Sequence, residues 1–207
     1  MNISLIDNQP VVAAGLSEAL RPWRIRIAMS GPATWQKDFR TWKPRVVLLE
    51  SRLGAADGLK LIEPIQSAGV PVPVIVYSQS DNTTFVARSV ALGARDFVPR
   101  TAPLPQVVSA IRRVLDGRDA PAEGLFGQMQ RYLAEVPVPR KKLPEMTGRE
   151  YQVWRHVGLG LGNREIGRSL DISVETVKEH VQNLLRKLNA ADRTQAAIQA
   201  LRNGVAR

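Results

Sequence analysis

The sequence predicts an α/β domain built on a doubly wound, five-stranded parallel sheet, followed by a smaller all-helical domain. Three observations carry this. Short apolar runs alternate with amphipathic stretches up to about residue 117, a segment rich in Gly and Pro then breaks the rhythm, and beyond Met146 the apolar spacing is helical only. The 207 residues accommodate one domain or two, each with a proper core.

The strands are expected at 3–6, 25–28, 46–49, 72–77 and 97–98, because these runs are short, apolar and rich in β-branched residues. Between and after them, amphipathic patterns predict helices at 11–20, 34–42, 59–68, 82–92 and 105–115. Residues 118–145 read as a linker. They include VPVPRKKLPE, whose prolines remove backbone donors and favour extended chain. Within that linker, 125–136 forms at most one short helix, interrupted by Gly127. In the carboxyl-terminal part, Thr147 and Glu150 fit a capping box, Asn163 and Ser173 are N-cap candidates, and helices follow at 163–170, 174–188 and 192–202. The domains are therefore 1–117 and 146–207.

The net charge of +10 and pI near 10.6 favour a polyanionic partner. From Arg140 onward there are 13 Lys/Arg against 7 Asp/Glu, compared with 16 against 12 before it, so the positive charge is concentrated on the helical domain. The absence of cysteine excludes disulfide scaffolds, thiolate metal sites and cysteine nucleophiles. No apolar run reaches the about 20 residues of a membrane span, and MNISLIDNQP lacks the features of a signal peptide, so a soluble cytoplasmic protein is expected. There is no nucleotide-binding glycine fingerprint, and both histidines, His156 and His180, fall in the helical domain. We therefore expect no enzyme, no catalytic residues, no cofactor and no metal.

The stretch NREIGRSLDISVETVKEHVQNLLRKL holds two helices joined by a tight turn at Asp171-Ile172-Ser173. Ile166, Leu170, Val174, Val177, Val181, Leu184, Leu185 and Leu188 would pack the pair together, leaving Glu175, Lys178, Glu179, Gln182 and Arg186 on the opposite face. Charged residues on a helix are commonly just a solvated face. A tight turn of this kind in a basic domain argues instead for a helix-turn-helix reading the major groove of duplex DNA. The run from MTGREYQVW to NAADRTQAA closely resembles the LuxR-type DNA-binding domain. That resemblance implies that Lys178, Glu179 and Gln182 face bases, while Thr176, Arg186 and Lys187 lie near phosphates. His180 adjoins the packed stripe, which suits packing or a phosphate contact better than catalysis.

In VVLLESRLGAADG a buried strand delivers a carboxylate, Glu50, to its carboxyl end, where open α/β sheets place their sites. With Asp7, Asn8, Ser78 and Arg100 at the ends of the other strands, residues 1–117 resemble a receiver domain. The whole chain is similar to a NarL/FixJ-type response regulator of a two-component system. A receiver of that type carries two acids after its first strand, a phospho-accepting Asp after the third, Ser or Thr after the fourth and Lys after the fifth. Here one acid is Asn8, the acceptor is Glu50 and the lysine is Arg100, which reads as an atypical, degenerate phosphorylation site.

Misplacing a reacting oxygen by about an ångström costs about 100-fold in rate, and Asn8 removes a charge a metal would use. We expect Arg100 to clasp Glu50 through two parallel hydrogen bonds in a partly exposed pair worth about 1 kcal/mol, biasing the receiver towards an active-like arrangement. The plainer readings are that Glu50 is a solvated strand-end acid, Ser78 a strand-end hydroxyl, Asp57-Gly58 a turn, and Phe97, Trp35 and Trp42 core. The expected function is a DNA-binding transcription regulator controlled independently of aspartate phosphorylation. The alternatives are a phosphorylation-dependent response regulator and an interaction protein without a DNA target. Expected partners are double-stranded DNA, a second copy joined through the receiver-like faces at 82–92 and 105–115, and RNA polymerase or another regulator, with no membrane.

Overall fold

A computed structural model describes residues 1–69, 71–135 and 143–206. They fold into two compact units, one of Met1–Asp81 with Ser89–Arg131, the other of Asn82–Arg88 with Tyr132–Arg207. Residues 136–142 of the expected linker, with the last residue of its expected helix, lie outside the described residues.

The first unit holds a parallel sheet of β1 (Asn2–Ile6), β2 (Arg26–Ser30), β3 (Val46–Leu49), β6 (Val74–Ser78) and β7 (Asp96–Pro99), in the order β2-β1-β3-β6-β7. Two strands of two residues each, β4 (Arg52–Leu53) and β5 (Ala56–Asp57), form a small antiparallel hairpin that the apolar pattern gave no sign of. Along the chain, helices α1 (Pro10–Leu20), α2 (Trp35–Trp42), α3 (Ile62–Gln66), α4 (Thr83–Ala91) and α5 (Leu104–Leu115) alternate with the strands, residues 83–88 of α4 being counted with the second unit. One sheet face is Ile3, Leu5, Val46, Leu48, Ile75, Tyr77 and Val98, buried against Leu16 and Leu20 of α1 and Val107, Ile111 and Val114 of α5. Because side chains alternate across a strand, the buried Ile6, Val47, Leu49 and Val76 belong to the other face. Burial on both faces is why these strands read as continuous apolar runs.

Several boundaries shift for identifiable reasons. Ile25 is buried, but it follows a 3-10 turn over Arg21–Trp23 that the Arg24 amide closes on Arg21 O at 2.9 Å, and its own amide bonds back to Leu20 O at 3.4 Å, so β2 starts one residue later. Pro64 cannot donate to the carbonyl four residues back, and the expected helix 59–68 becomes a 3-10 turn, Gly58–Leu61, followed by the short α3. The linker helix forms as α6 (Leu125–Glu135) despite Gly127.

The second unit contains α7 (Gly148–Gly158), α8 (Asn163–Leu170), α9 (Val174–Leu188) and α10 (Arg193–Arg202), and no strand among its described residues. Thr147 and Glu150 form the expected capping box. Ser173 caps α9, its side chain accepting from the Thr176 amide at 3.0 Å. Asn163 is not an N-cap. It is the first residue of α8, and the cap is Gly162, whose amide donates to Glu150's counterpart here, Glu165, at 2.7 Å. The core is Val153, Trp154, Val157, Ile166, Val177, Leu184, Leu188 and the small residues Ala196, Ala197 and Ala200 of α10.

Candidate functional site

The strand register builds the first site. Ile6 pairs with Leu49 and Ser78 with Pro99, so the residues that follow β1, β3 and β7, namely Asp7, Glu50 and Arg100, emerge at the same carboxyl end of the sheet, with Ser78 at the end of the intervening β6. Glu50 is held by the main chain on both sides. Its amide donates to Ile6 O at 3.0 Å, and a Cβ on Gly58 would lie 2.0 Å from its carbonyl oxygen, so only glycine fits where the Asp57-Gly58 turn passes beneath it. Asp57 accepts from the Leu59 amide at 3.2 Å, which bears out the turn reading.

Glu50 is 4 % exposed, and its two oxygens are saturated. Oε1 accepts from Ser78 Oγ at 2.6 Å, Ser51 Oγ at 3.0 Å and the Arg52 amide at 3.1 Å. Oε2 accepts from the Gln79 amide at 3.1 Å and from Arg100 Nη2 at 2.7 Å. The same Nη2 also donates to Asp7 Oδ2, and the Asp7 side chain is wholly buried. Arg100 therefore differs from the expected two-pronged clasp: one guanidinium nitrogen bridges two carboxylates. The pair is only slightly exposed: the Arg100 side chain is 12 % accessible, and its guanidinium lies 5.7 Å from the Tyr77 ring centroid. Glu50 is thus not a solvated strand-end acid. Burial raises the Tyr77 pKa above its ordinary value, with Arg100 pulling the other way.

Ser78 is part of this network rather than an idle hydroxyl: its proton goes to Glu50, and its oxygen lies 2.6 Å from Ser51 Oγ. Asn8, with its amide turned to satisfy its neighbours, donates to Asp7 Oδ1 at 3.3 Å and accepts from the Gly54 amide at 3.0 Å. Phe97 and Trp35 are core, whereas Trp42 is half-buried and donates through Nε1 to Ile3 O at 2.8 Å. Sequence reasoning missed Ser51, although it follows Glu50 directly, and missed the sharing of Arg100 by Asp7.

The receiver resemblance implies a divalent cation, and the residues do not fit one. Magnesium needs octahedral oxygens at about 2.0–2.1 Å. The oxygens that would face it, Asp7 Oδ2 and Glu50 Oε2, both bond to the same Arg100 nitrogen. Among the described residues there is no group of three or more His, Cys, Asp or Glu able to hold a metal.

The second site is α9. The αL backbone of Asp171 (φ 53°) ends α8, and the Ile172 amide bonds to Gly167 O at 3.0 Å. A Cβ on Gly167 would come within 2.8 Å of Ile172 O, so glycine lets the turn fold back on α8. Val177, Leu184 and Leu188 are buried, leaving Glu175, Lys178, Glu179, Gln182 and Arg186 exposed. Lys178 Nζ bonds to Glu175 Oε1 at 2.9 Å and Arg186 to Asn183 Oδ1. Thr176 is half-buried beside the cap, its hydroxyl 2.9 Å from Ser173 Oγ. Lys187 is tied down: its Nζ bonds to Glu150 Oε2 at 2.7 Å and to Glu145 O at 3.3 Å. That hydrogen bond, with the Thr147 amide, lowers the Glu150 pKa from 4.5 to about 2.

A model of the response regulator receiver domain matches residues 3–112, and one of the luxR family of bacterial regulatory proteins matches residues 144–200. The first alone spans more than half of the chain. The chain belongs to the response regulators. This regulator is of the NarL/FixJ type, a receiver followed by a LuxR-type domain. It is 28% identical to the uncharacterized transcriptional regulatory protein YxjL of Bacillus subtilis, over 99% of this chain and 97% of that one. It is 29% identical to LnrK of the same organism, over 99% and 98%. The probable transcriptional regulatory protein NarL of Mycobacterium tuberculosis is 29% identical over 77% of this chain and 73% of its own. Among solved structures, the response regulator ChrA of a heme-sensing two-component system is 25% identical, with TM-score 0.51 over 99% of this chain and 98% of that one. RcsB, solved as two dimers bound to two parallel DNAs, shares the fold at 16% identity and TM-score 0.59, over 97% and 98%. No helix of the regulator's described residues is long and apolar enough to cross a membrane.

Proposed function

We propose that this DNA-binding transcription regulator of response-regulator type is controlled independently of phosphorylation at the usual aspartate position. The observation that carries the reading is the single Arg100 nitrogen shared by Asp7 and Glu50. A cation already bridges the two carboxylates and offsets one of their two charges, and Glu50 spends both oxygens on hydrogen bonds, so no lone oxygen is presented for in-line attack on a phosphoryl group. The network joins the ends of four strands and holds the receiver in one arrangement.

In this reading residues 1–117 regulate, 118–145 connect, and 146–207 bind DNA. α9 enters the major groove with Lys178, Glu179 and Gln182 towards the bases and Thr176, Arg186 and Lys187 towards phosphates, Lys187 doing so while tied to Glu150. Two copies joined through the receiver, by the faces at 82–92 and 105–115, occupy paired half-sites. The test is the DNA affinity of Glu50→Gln and Arg100→Ala against the parent, with operator fragments recovered by sequencing protein-bound DNA. Both variants are expected to shift affinity about fivefold or more, since loss of about 1 kcal/mol already biases a balanced switch by that factor. Equal affinity in all three would reduce the receiver to a dimerisation or docking module.

A further inference from the structure

The receiver carries a second charged feature, at the end of the sheet opposite Glu50. Residues 21–45 contain seven Lys/Arg, namely Arg21, Arg24, Arg26, Lys37, Arg40, Lys43 and Arg45, and one acid, Asp38. Residues 46–139, by contrast, hold nine of each sign, the mixed distribution of an ordinary solvated surface. All seven basic residues are exposed. Arg21 lies 3.7 Å from Glu18 in an exposed pair, and none of the other six has a carboxylate within ion-pair distance among the described residues. Asp38 is occupied by the Thr34 hydroxyl at 2.8 Å.

The fold gathers these charges. The Arg26 amide bonds to Met1 O at 2.8 Å and the Arg45 amide to Asn2 O at 2.9 Å, which aligns the starts of β2, β1 and β3. Adjacent strands are about 4.8 Å apart, so Arg26 and Arg45 flank β1 at a main-chain separation of about 10 Å. Arg24 and Lys43 precede them on αL backbone (φ 58° and 49°). Lys37 and Arg40 lie one turn apart on α2, away from the buried Trp35. The Arg26 guanidinium is 5.6 Å from the Trp42 ring centroid, and the ring is itself anchored to Ile3 O.

We propose that this rim binds the phosphate backbone of duplex DNA, as a sequence-independent contact additional to the helix-turn-helix. Closely spaced cations, seven against Asp38 and the Glu18 beside Arg21, match a polymer carrying one charge per about 1.7 Å of axis. Guanidinium groups also suit phosphate oxygens geometrically. An acidic protein partner fits less well, because protein interfaces centre on buried apolar or aromatic anchors and the exposed apolar side chain of β2, Met29, stands near the far end of that strand. The contact draws on the DNA-binding reading for one thing only: DNA held by the LuxR-type domain of the same chain is at high effective concentration.

The test uses the full chain and a duplex of arbitrary sequence, about 40 bp long, with affinity measured by anisotropy across a salt series. Arg26→Gln/Arg40→Gln/Arg45→Gln avoids the αL positions. It is expected to make the slope of log K against log salt shallower by about 2 to 3, at about 0.9 per contact, with the parent's melting midpoint. Should the midpoint fall, each single variant carries the same test at about 0.9 of slope. A parental slope and affinity would overturn the inference. So would a parental slope accompanied by lost binding to poly-L-glutamate, which would assign the rim to an acidic protein. Lys178→Ala run alongside reports on the helix-turn-helix separately: no effect of that variant, with a shallower rim slope, would count against α9 and not against the rim.

Discussion

Arg100 joins two buried carboxylates, which makes its removal costlier than the loss of a surface pair. Arg100→Ala leaves Asp7 and Glu50 side by side without a counter-charge, and the expected loss is about 3 to 5 kcal/mol in chemical denaturation. Adding Glu50→Gln to Arg100→Ala should return part of that loss, with a coupling of about 1 to 3 kcal/mol in a double-mutant cycle; simple additivity would mean that the network is not a unit. Gly58→Ala drives a methyl group into the Glu50 carbonyl and should destabilise by about 1 to 3 kcal/mol, against no change if the turn simply moves aside. The identities in the crevice were legible in the sequence because strand ends deliver fixed residues to it. Their burial and the sharing of one nitrogen were not, because both depend on the lateral register of β1, β3 and β7, which no periodicity encodes.

Whole helices were read well where a cap and an apolar stripe agree, as at Ser173 and α9, and less well where a proline intervenes, as at Pro64. Glu150 could be recognised as a capping residue, but its bond to Lys187 spans 37 positions and carries no local signal. That bond has a pH signature. The folded pKa, about 2, lies below the ordinary 4.5, so the stabilisation is complete above pH about 4.5 and is lost as pH falls towards 2. Acid melting of the protein should show this loss, and Glu150→Gln should flatten it; an unchanged acid profile would leave the pair energetically idle. In the proposed DNA-reading role of α9, Lys178 would give up its exposed partner Glu175 at little cost, so Lys178→Ala should weaken binding by about 1 to 3 kcal/mol. Glu179 is tolerable beside phosphates if it accepts from a cytosine amino group. Glu179→Ala should then change the preferred sequence in a selection experiment, and an unchanged preference would remove it from base reading.

At the scale of the whole chain, the alternation of apolar runs up to residue 117 and the purely helical spacing after Met146 made the two folds visible before any contact was known. The partition of charge was equally visible, although its concentration on one rim of the sheet needed the strand order. The proposed pairing of two copies predicts dimers in light scattering when operator DNA is present; monomer alone, free and bound, would contradict it. Control without a phosphoryl group is the central claim, and one measurement addresses it most directly: DNA affinity of the unmodified protein before and after treatment with a small phosphodonor and magnesium, with intact mass recorded on the same samples. The account predicts unchanged mass and unchanged affinity. A phosphoryl adduct at Glu50 that tightens DNA binding would contradict it.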